Sequence, residues 1–154
     1  MSRAAKVWCA IAIAGLDVGI ATRHWLTDGF DLSNGLVQGQ VRGEVWWNAR
    51  FVDIAREMNE ALTSSVAFVA AGLVAAGLAA VASVLLAVAC GYGGPRAQRC
   101  ALLAMIAVIA SAAAGAAFLY LYPLNHMTPS WSLGAFAAGV LATCAAAMTV
   151  RRPG

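Results

Sequence analysis

Apolar residues along this chain fall in long unbroken blocks. They do not take the spaced positions of helices that turn one face into a soluble core. The first block runs from Val7 to Thr22 and carries one charge, Asp17. The second runs from Ala61 to Cys90 with no charge at all, the third from Cys100 to Tyr122 and the fourth from Trp131 to Val150. Crossing the hydrocarbon layer takes about 20 mostly apolar residues as a helix, and backbone polar groups in lipid must be satisfied within the segment. Ala, Gly and Leu dominate the blocks, which does not suit the alternation of a membrane barrel. The pattern predicts an all-α membrane protein of one domain, a four-transmembrane-helix bundle with spans at about 7–22, 61–90, 100–122 and 131–150. Arg3 and Lys6 ahead of the first block resemble the basic start of a signal peptide. Asp17 in the apolar core and the lack of a clear small-x-small cleavage site favour a retained helix.

The stretch 23–60 is the one sizeable polar segment. Asp28-Gly29 and Asn34-Gly35 are turn signals. A strand over Gly35–Val41, a turn at Arg42-Gly43 and a strand over Glu44–Trp47 predict a small extramembrane β-hairpin in this first outer loop. From Asn48, a candidate N-cap, the pattern becomes helical: Phe51, Ala55, Met58 and Leu62 share one face, and Asp53, Arg56, Glu57 and Glu60 the other. With no Pro or Gly before Gly72, this helix is expected to run straight into the second span, a rod of about 60 Å from Ala49 to Cys90 at 1.5 Å per residue.

Composition sharpens this picture. The 154 residues are 62% hydrophobic and only 11% charged, with mean hydropathy +0.77, far from the usual balance of a soluble domain. Arg3, Lys6, Arg96, Arg99, Arg151 and Arg152 all fall on one side of a four-span layout. The segment 23–60 sets six acidic residues against four arginines on the other side. The basic side is therefore expected to be cytoplasmic, with both termini there, and the plasma membrane is the favoured location. The net charge of +3 follows from this topology and gives no reason to expect nucleic acid. Membrane lipid is one expected partner, and a second copy or another membrane protein the other.

Candidate chemistry is sparse. Asp17 lies in a span, where a charge costs several kcal/mol unless it faces the bundle interior, a partner or water. A hydrogen bond to Ser64, Ser65, Ser111 or Thr143 is the structural expectation. Docking of a partner, or a proton or ion site, are the functional ones. Small residues recur four apart at Gly72, Ala76 and Ala80, at Ala107, Ser111 and Gly115, and in two stripes of the last span, Gly134, Ala138, Ala142, Ala146 and Ala135, Gly139, Thr143, Ala147. Such ladders let helix backbones approach closely, either within the bundle or against a neighbour. The double stripe makes Gly134, Ala138 and Gly139 candidate contacts.

Trp8, Trp25, Trp131, Tyr92, Tyr120 and Tyr122 suit an interfacial aromatic belt. Trp46 and Trp47, with Phe51 nearby, are either a contact surface or an anchor for the hairpin. His24 and His126 form too small a set for a zinc site. Cys9, Cys90, Cys100 and Cys144 show no CxxC spacing or loop pairing. They read as small apolar residues, with palmitoylation as the alternative for the three near the cytoplasmic interface. No nucleophile–His–acid set, phosphate loop or catalytic carboxylate pair occurs, so neither catalysis nor a cofactor is expected.

Arg23-His24-Trp25 after the first span, Gly35-Leu36 in the loop, the Phe51–Leu73 run into the second span and Trp131-Ser132-Leu133-Gly134 at the start of the fourth resemble the claudin-like tetraspan superfamily. That superfamily includes peripheral myelin protein, and the amastins share a similar plan. The resemblance covers the whole chain in architecture. It implies adhesion, barrier formation, membrane organisation or a channel-accessory role, by lateral assembly and outer-loop contacts. Ser33 and Val37 stand where the family's signature tryptophans would be, and its two signature cysteines are missing, which sets strand-type junction assembly apart. Two other readings stand beside this one: a small accessory subunit of a larger membrane complex, and a transporter or cofactor-binding enzyme using Asp17.

Overall fold

A computed structural model of the chain describes residues 1–27, 29, 32–41, 44–48, 50, 65–92, 94–122 and 127–151. Four long helices form the bundle: α1 (Arg3–Ala21), α2 (Ser65–Gly91), α3 (Gly94–Leu121) and α4 (Trp131–Arg151). Each contains a stretch long and apolar enough to cross a membrane. Ser2 caps α1 by accepting from the Ala5 N–H at 3.2 Å, and Thr22 ends it in extended backbone. The α2–α3 turn needs Gly94 at φ +64°, a region open to glycine, and Pro95 then fits the first turn of α3, where no N–H is needed.

The helices pack antiparallel in a ring, with the closest contacts between α2 and α3 and between α1 and α4. At the α1–α4 crossing the backbones touch. A Cβ added to Gly15 would lie 2.7 Å from the Ala135 carbonyl oxygen, and one on Gly139 would lie 2.7 Å from the Leu16 nitrogen. The α2–α3 seam is tied by Ser111, whose hydroxyl donates to the Ala75 carbonyl at 2.6 Å.

On the end of the bundle away from the α2–α3 turn lies one antiparallel sheet. Its strands are β1 (Leu26–Thr27), β2 (Leu32–Asn34), β3 (Gln38–Val41), β4 (Glu44–Trp47) and β5 (Thr128–Pro129), in the order β4-β3-β2-β1-β5. The β3–β4 hairpin pairs Gln38 with Trp47 and Val41 with Glu44, at the expected place. The first strand does not begin at Gly35 as expected. The chain turns at Leu36-Val37, with Gly35 N–H donating to the Gln38 carbonyl at 2.8 Å, because Leu36 is driven inward and is fully buried. Its carbonyl sits against Gly72 of α2, and Gly35 sits against the Thr22 carbonyl, so closely that neither glycine has room for a Cβ.

Strands β1, β2 and β5 went unanticipated. They are two or three residues long, and β5 comes from the other outer connection and pairs with β1. The outer part of the expected rod, residues 49 and 51–64, lies outside the described residues, and its inner part is α2.

Trp25 joins sheet and bundle. Expected in an interfacial belt, it is instead 1% exposed. Its indole N–H donates to the Gly19 carbonyl at 2.7 Å, and its ring meets Phe118 edge-on at 6.0 Å and Phe136 at 4.8 Å. Phe68 and Tyr122 extend the cluster. Apolar attraction to the ring, together with a bond that satisfies its N–H, draws it in. Tyr122, another of the aromatics expected at an interface, is buried with it.

These contacts predict a contrast. Gly139→Val should destabilise the protein by about 1–3 kcal/mol through overpacking. Gly134→Val, at a position with open space around it, should change little. Thermal unfolding in mild detergent, followed by circular dichroism, checks both. Equal effects would disprove the close crossing.

Candidate interaction surfaces

The sheet presents its last strand outward. Along β4, successive side chains point to opposite faces, which separates the two adjacent tryptophans. Trp47 is 63% exposed and Val45 is 44% exposed on one face, while Trp46 on the other is half-buried. Trp46 stands opposite the buried Gly39 of β3. Phe51, expected beside them, lies outside the described residues.

Behind this face the sheet is polar and buried. The Asn48 amide does not act as the cap expected of it. Its Nδ2 donates to the Gly35 and Leu36 carbonyls at 3.1 and 2.9 Å and so fixes the Leu36 turn. Asn34 donates to the Tyr122 hydroxyl at 2.9 Å, linking β2 to the end of α3. Ser132 donates to the His24 carbonyl, and the Ser130 N–H to the Trp25 carbonyl at 2.9 Å. The second outer connection is thereby laced to the first. Oδ1 of Asn34, Oδ1 of Asn48 and Oγ1 of Thr22 are buried without a hydrogen-bond partner among the described residues. Each such atom carries a desolvation cost.

Asp17 lies on the exposed surface of α1 and not in the bundle interior. Ser83 of α2 donates to its Oδ1 at 3.0 Å. Of the four partners expected from the sequence, Ser64 and the Ser65 side chain lie outside what the structure describes, and the other two bond elsewhere. The antiparallel pairing of α1 with α2 brings Ser83 alongside, while Ser111 donates to Ala75 and Thr143 to the Gly139 carbonyl of its own helix. Ser83 stands eight residues from Gly91, about 12 Å along α2, so the pair is well inside the apolar length of the bundle.

The small-residue stripes of α4 split. A step of four residues drifts by about 40° around a helix; Gly139, Thr143 and Ala147 all stay buried, but the Gly134 stripe turns from one face to the other. Gly134 and Ala138 are exposed, while Ala142 and Ala146 are buried. Gly139 is occupied internally, against Gly15 and Leu16.

The remaining candidates stay separate from these surfaces. His24 is exposed, and His126 lies outside the described residues. No cluster of three or more His, Cys, Asp or Glu side chains forms among the described residues. The four cysteines are free. Between the outer halves of α3 and α4 lies an apolar groove of about 340 Å³. Sequence reading missed it. Its one signal is the run of small residues on both helices, which points equally to close packing. The sequence matches no protein-family model and no curated protein.

Two substitutions separate surface from core. Trp47→Ala should shift stability by no more than about 0.5 kcal/mol, as exposed side chains do. Trp25→Ala should cost about 3–5 kcal/mol, as for a large buried aromatic. Unfolding in detergent measures both, and a large loss for Trp47→Ala would show that this ring is structural.

Proposed function

We propose that the chain is a four-span membrane protein, with both ends on the cytoplasmic side, that acts without catalysis through lateral assembly and contacts of its outer sheet. The membrane reading rests on what the helices turn outward. Val7, Val74, Val84, Leu103, Ile106, Ile109 and Leu141 are each more than half exposed, and they lie on all four helices. A soluble monomer does not carry so extended an apolar surface, whereas lipid accepts it. Six of the ten Lys and Arg residues fall at the α2–α3 turn and the two termini, and the four in residues 23–60 are outnumbered by six acidic residues. The positive-inside rule then puts the sheet on the far side.

One observation carries the assembly reading: Trp47 and Val45 stand exposed together on the end strand of the sheet. Aromatic rings in such a place are preferred anchors of protein contacts. A strand-bearing first loop with inside termini is also the layout that the claudin-like resemblance implies, and adhesion or membrane organisation is the corresponding role.

The accessory-subunit reading is favoured by a different observation. Asp17 is exposed on a membrane-facing surface with Ser83 as its hydrogen-bond partner. A carboxyl there is costly in lipid, and a donor from a neighbouring subunit would relieve that cost.

Cross-linking in native membranes, followed by gentle extraction and mass determination, tests both. Homo-oligomers that dissociate in Trp47→Ala, at unchanged unfolding temperature, are the expected result. A Trp47→Ala protein that assembles as before would sink the outer-sheet reading. One defined foreign partner, lost in Asp17→Leu and kept in Trp47→Ala, would make the chain an accessory subunit.

A further inference from the structure

The small residues of α1 and α4 bring those helices into backbone contact, but those of α3 and α4 do not. Trp25 is the reason. Its ring is wedged between Phe118 of α3 and Phe136 of α4, and the Gly115 position faces the indole edge, where a Cβ would lie 3.3 Å away. The helices are thus held apart at the sheet end. Beneath the indole, Gly115, Ala116 and Ala137 leave space where larger side chains would fill it. The result is the 340 Å³ groove, closed above by Trp25 and open to the side at Ala116, Ala137 and Leu141, all exposed. It runs from Leu119 to Ala112 along α3, about 10 Å at 1.5 Å per residue.

Three properties select an occupant. Every lining side chain is apolar apart from the Trp25 N–H, which is already bonded to Gly19. A polar ligand would lose its hydration with nothing in return. The volume excludes a seated helix, since a cylinder about 10 Å across and 10 Å long occupies roughly 800 Å³. It is about twice the ~150 Å³ of an apolar cavity that accepts benzene, which gives room for on the order of ten hydrocarbon carbons. The mouth opens sideways, toward the surface read above as lipid-facing. We propose that this groove is a binding site for one acyl chain of a membrane phospholipid, held against Trp25. This rests on the membrane reading.

The test is fluorescence quenching in vesicles. One protein keeps Trp25 alone, with Trp8, Trp46, Trp47 and Trp131 changed to Phe. A second keeps Trp131 alone, whose side chain is 63% exposed. Both are reconstituted into phosphatidylcholine with a rising fraction of the same lipid brominated along one chain. Trp25 emission should fall in proportion to the bromolipid fraction, as one exchangeable site requires, while Trp131 emission, bordered by several lipids, falls more steeply at low fraction and levels off. Filling the groove with Ala116→Leu and Ala137→Leu should weaken Trp25 quenching several-fold and leave Trp131 unchanged.

If the filled protein does not fold, the two dose curves decide alone. Trp25 emission that tracks Trp131, or that stays unquenched while Trp131 is quenched, overturns the site. A dimer cross-linked through Ala137→Cys, with Trp25 unquenched, would assign the groove to a second copy. Failure of the membrane reading looks different: the protein does not float with the vesicles and neither tryptophan responds.

Discussion

The indole of Trp25 lies where α1, α3, α4 and the sheet meet. Its N–H is bonded to the last turn of α1, its ring separates α3 from α4, and its carbonyl accepts from Ser130 at the start of α4. The next residue opens β1, the strand that pairs with both β2 and β5. One side chain therefore sets the spacing of two helices and the height of the sheet above the bundle. A large aromatic suits this place because burial of its ring is strongly favourable and its single polar atom has a carbonyl within reach. The aromatic cluster around it, with Phe68, Phe118, Phe136 and Tyr122, is the main apolar core at this end of the protein.

Elsewhere the bundle is cemented by small side chains. Close van der Waals approach and interhelical hydrogen bonds join the helices there, the two contacts that small residues at a helix interface allow. Gly15 against Gly139 supplies the first, and Ser111 to Ala75 the second. The same residue types on α3 and α4 give the opposite result, an open groove, because the wedge above keeps the backbones apart. Small residues permit contact but do not enforce it.

The outer sheet follows from the same economy of contacts. Its strands are too short to stand alone. Asn48 holds the Leu36 turn, Asn34 reaches Tyr122, and Gly35 and Gly72 let the loop lie directly on the ends of α1 and α2. Anchored in this way, β4 can leave Trp47 and Val45 exposed without loss of the fold. Asp17 with Ser83, deeper along the bundle, marks a second and chemically different surface. The two surfaces underlie the two readings of how the chain assembles.

Much of this was legible in the sequence. Long apolar blocks that must satisfy their own backbones leave the helix as the available form, so the four helices follow from local composition alone. The β3–β4 hairpin was legible from its turn and its Val and Trp residues. Tertiary structure alone decided which helices adjoin, and with that the choice of Ser83 as the partner of Asp17. It decided that Trp25 and Tyr122 are buried while Trp131 and Tyr120 are exposed, although all four sit near helix ends. It decided which of the stripes on α4 stays inward, since both repeat small residues every four positions. Strand β5 exists because β1 offers it an edge. Local sequence determines what a segment becomes when its own hydrogen bonds and hydropathy suffice. Partners, faces and gaps depend on which residues from distant segments arrive at the same place.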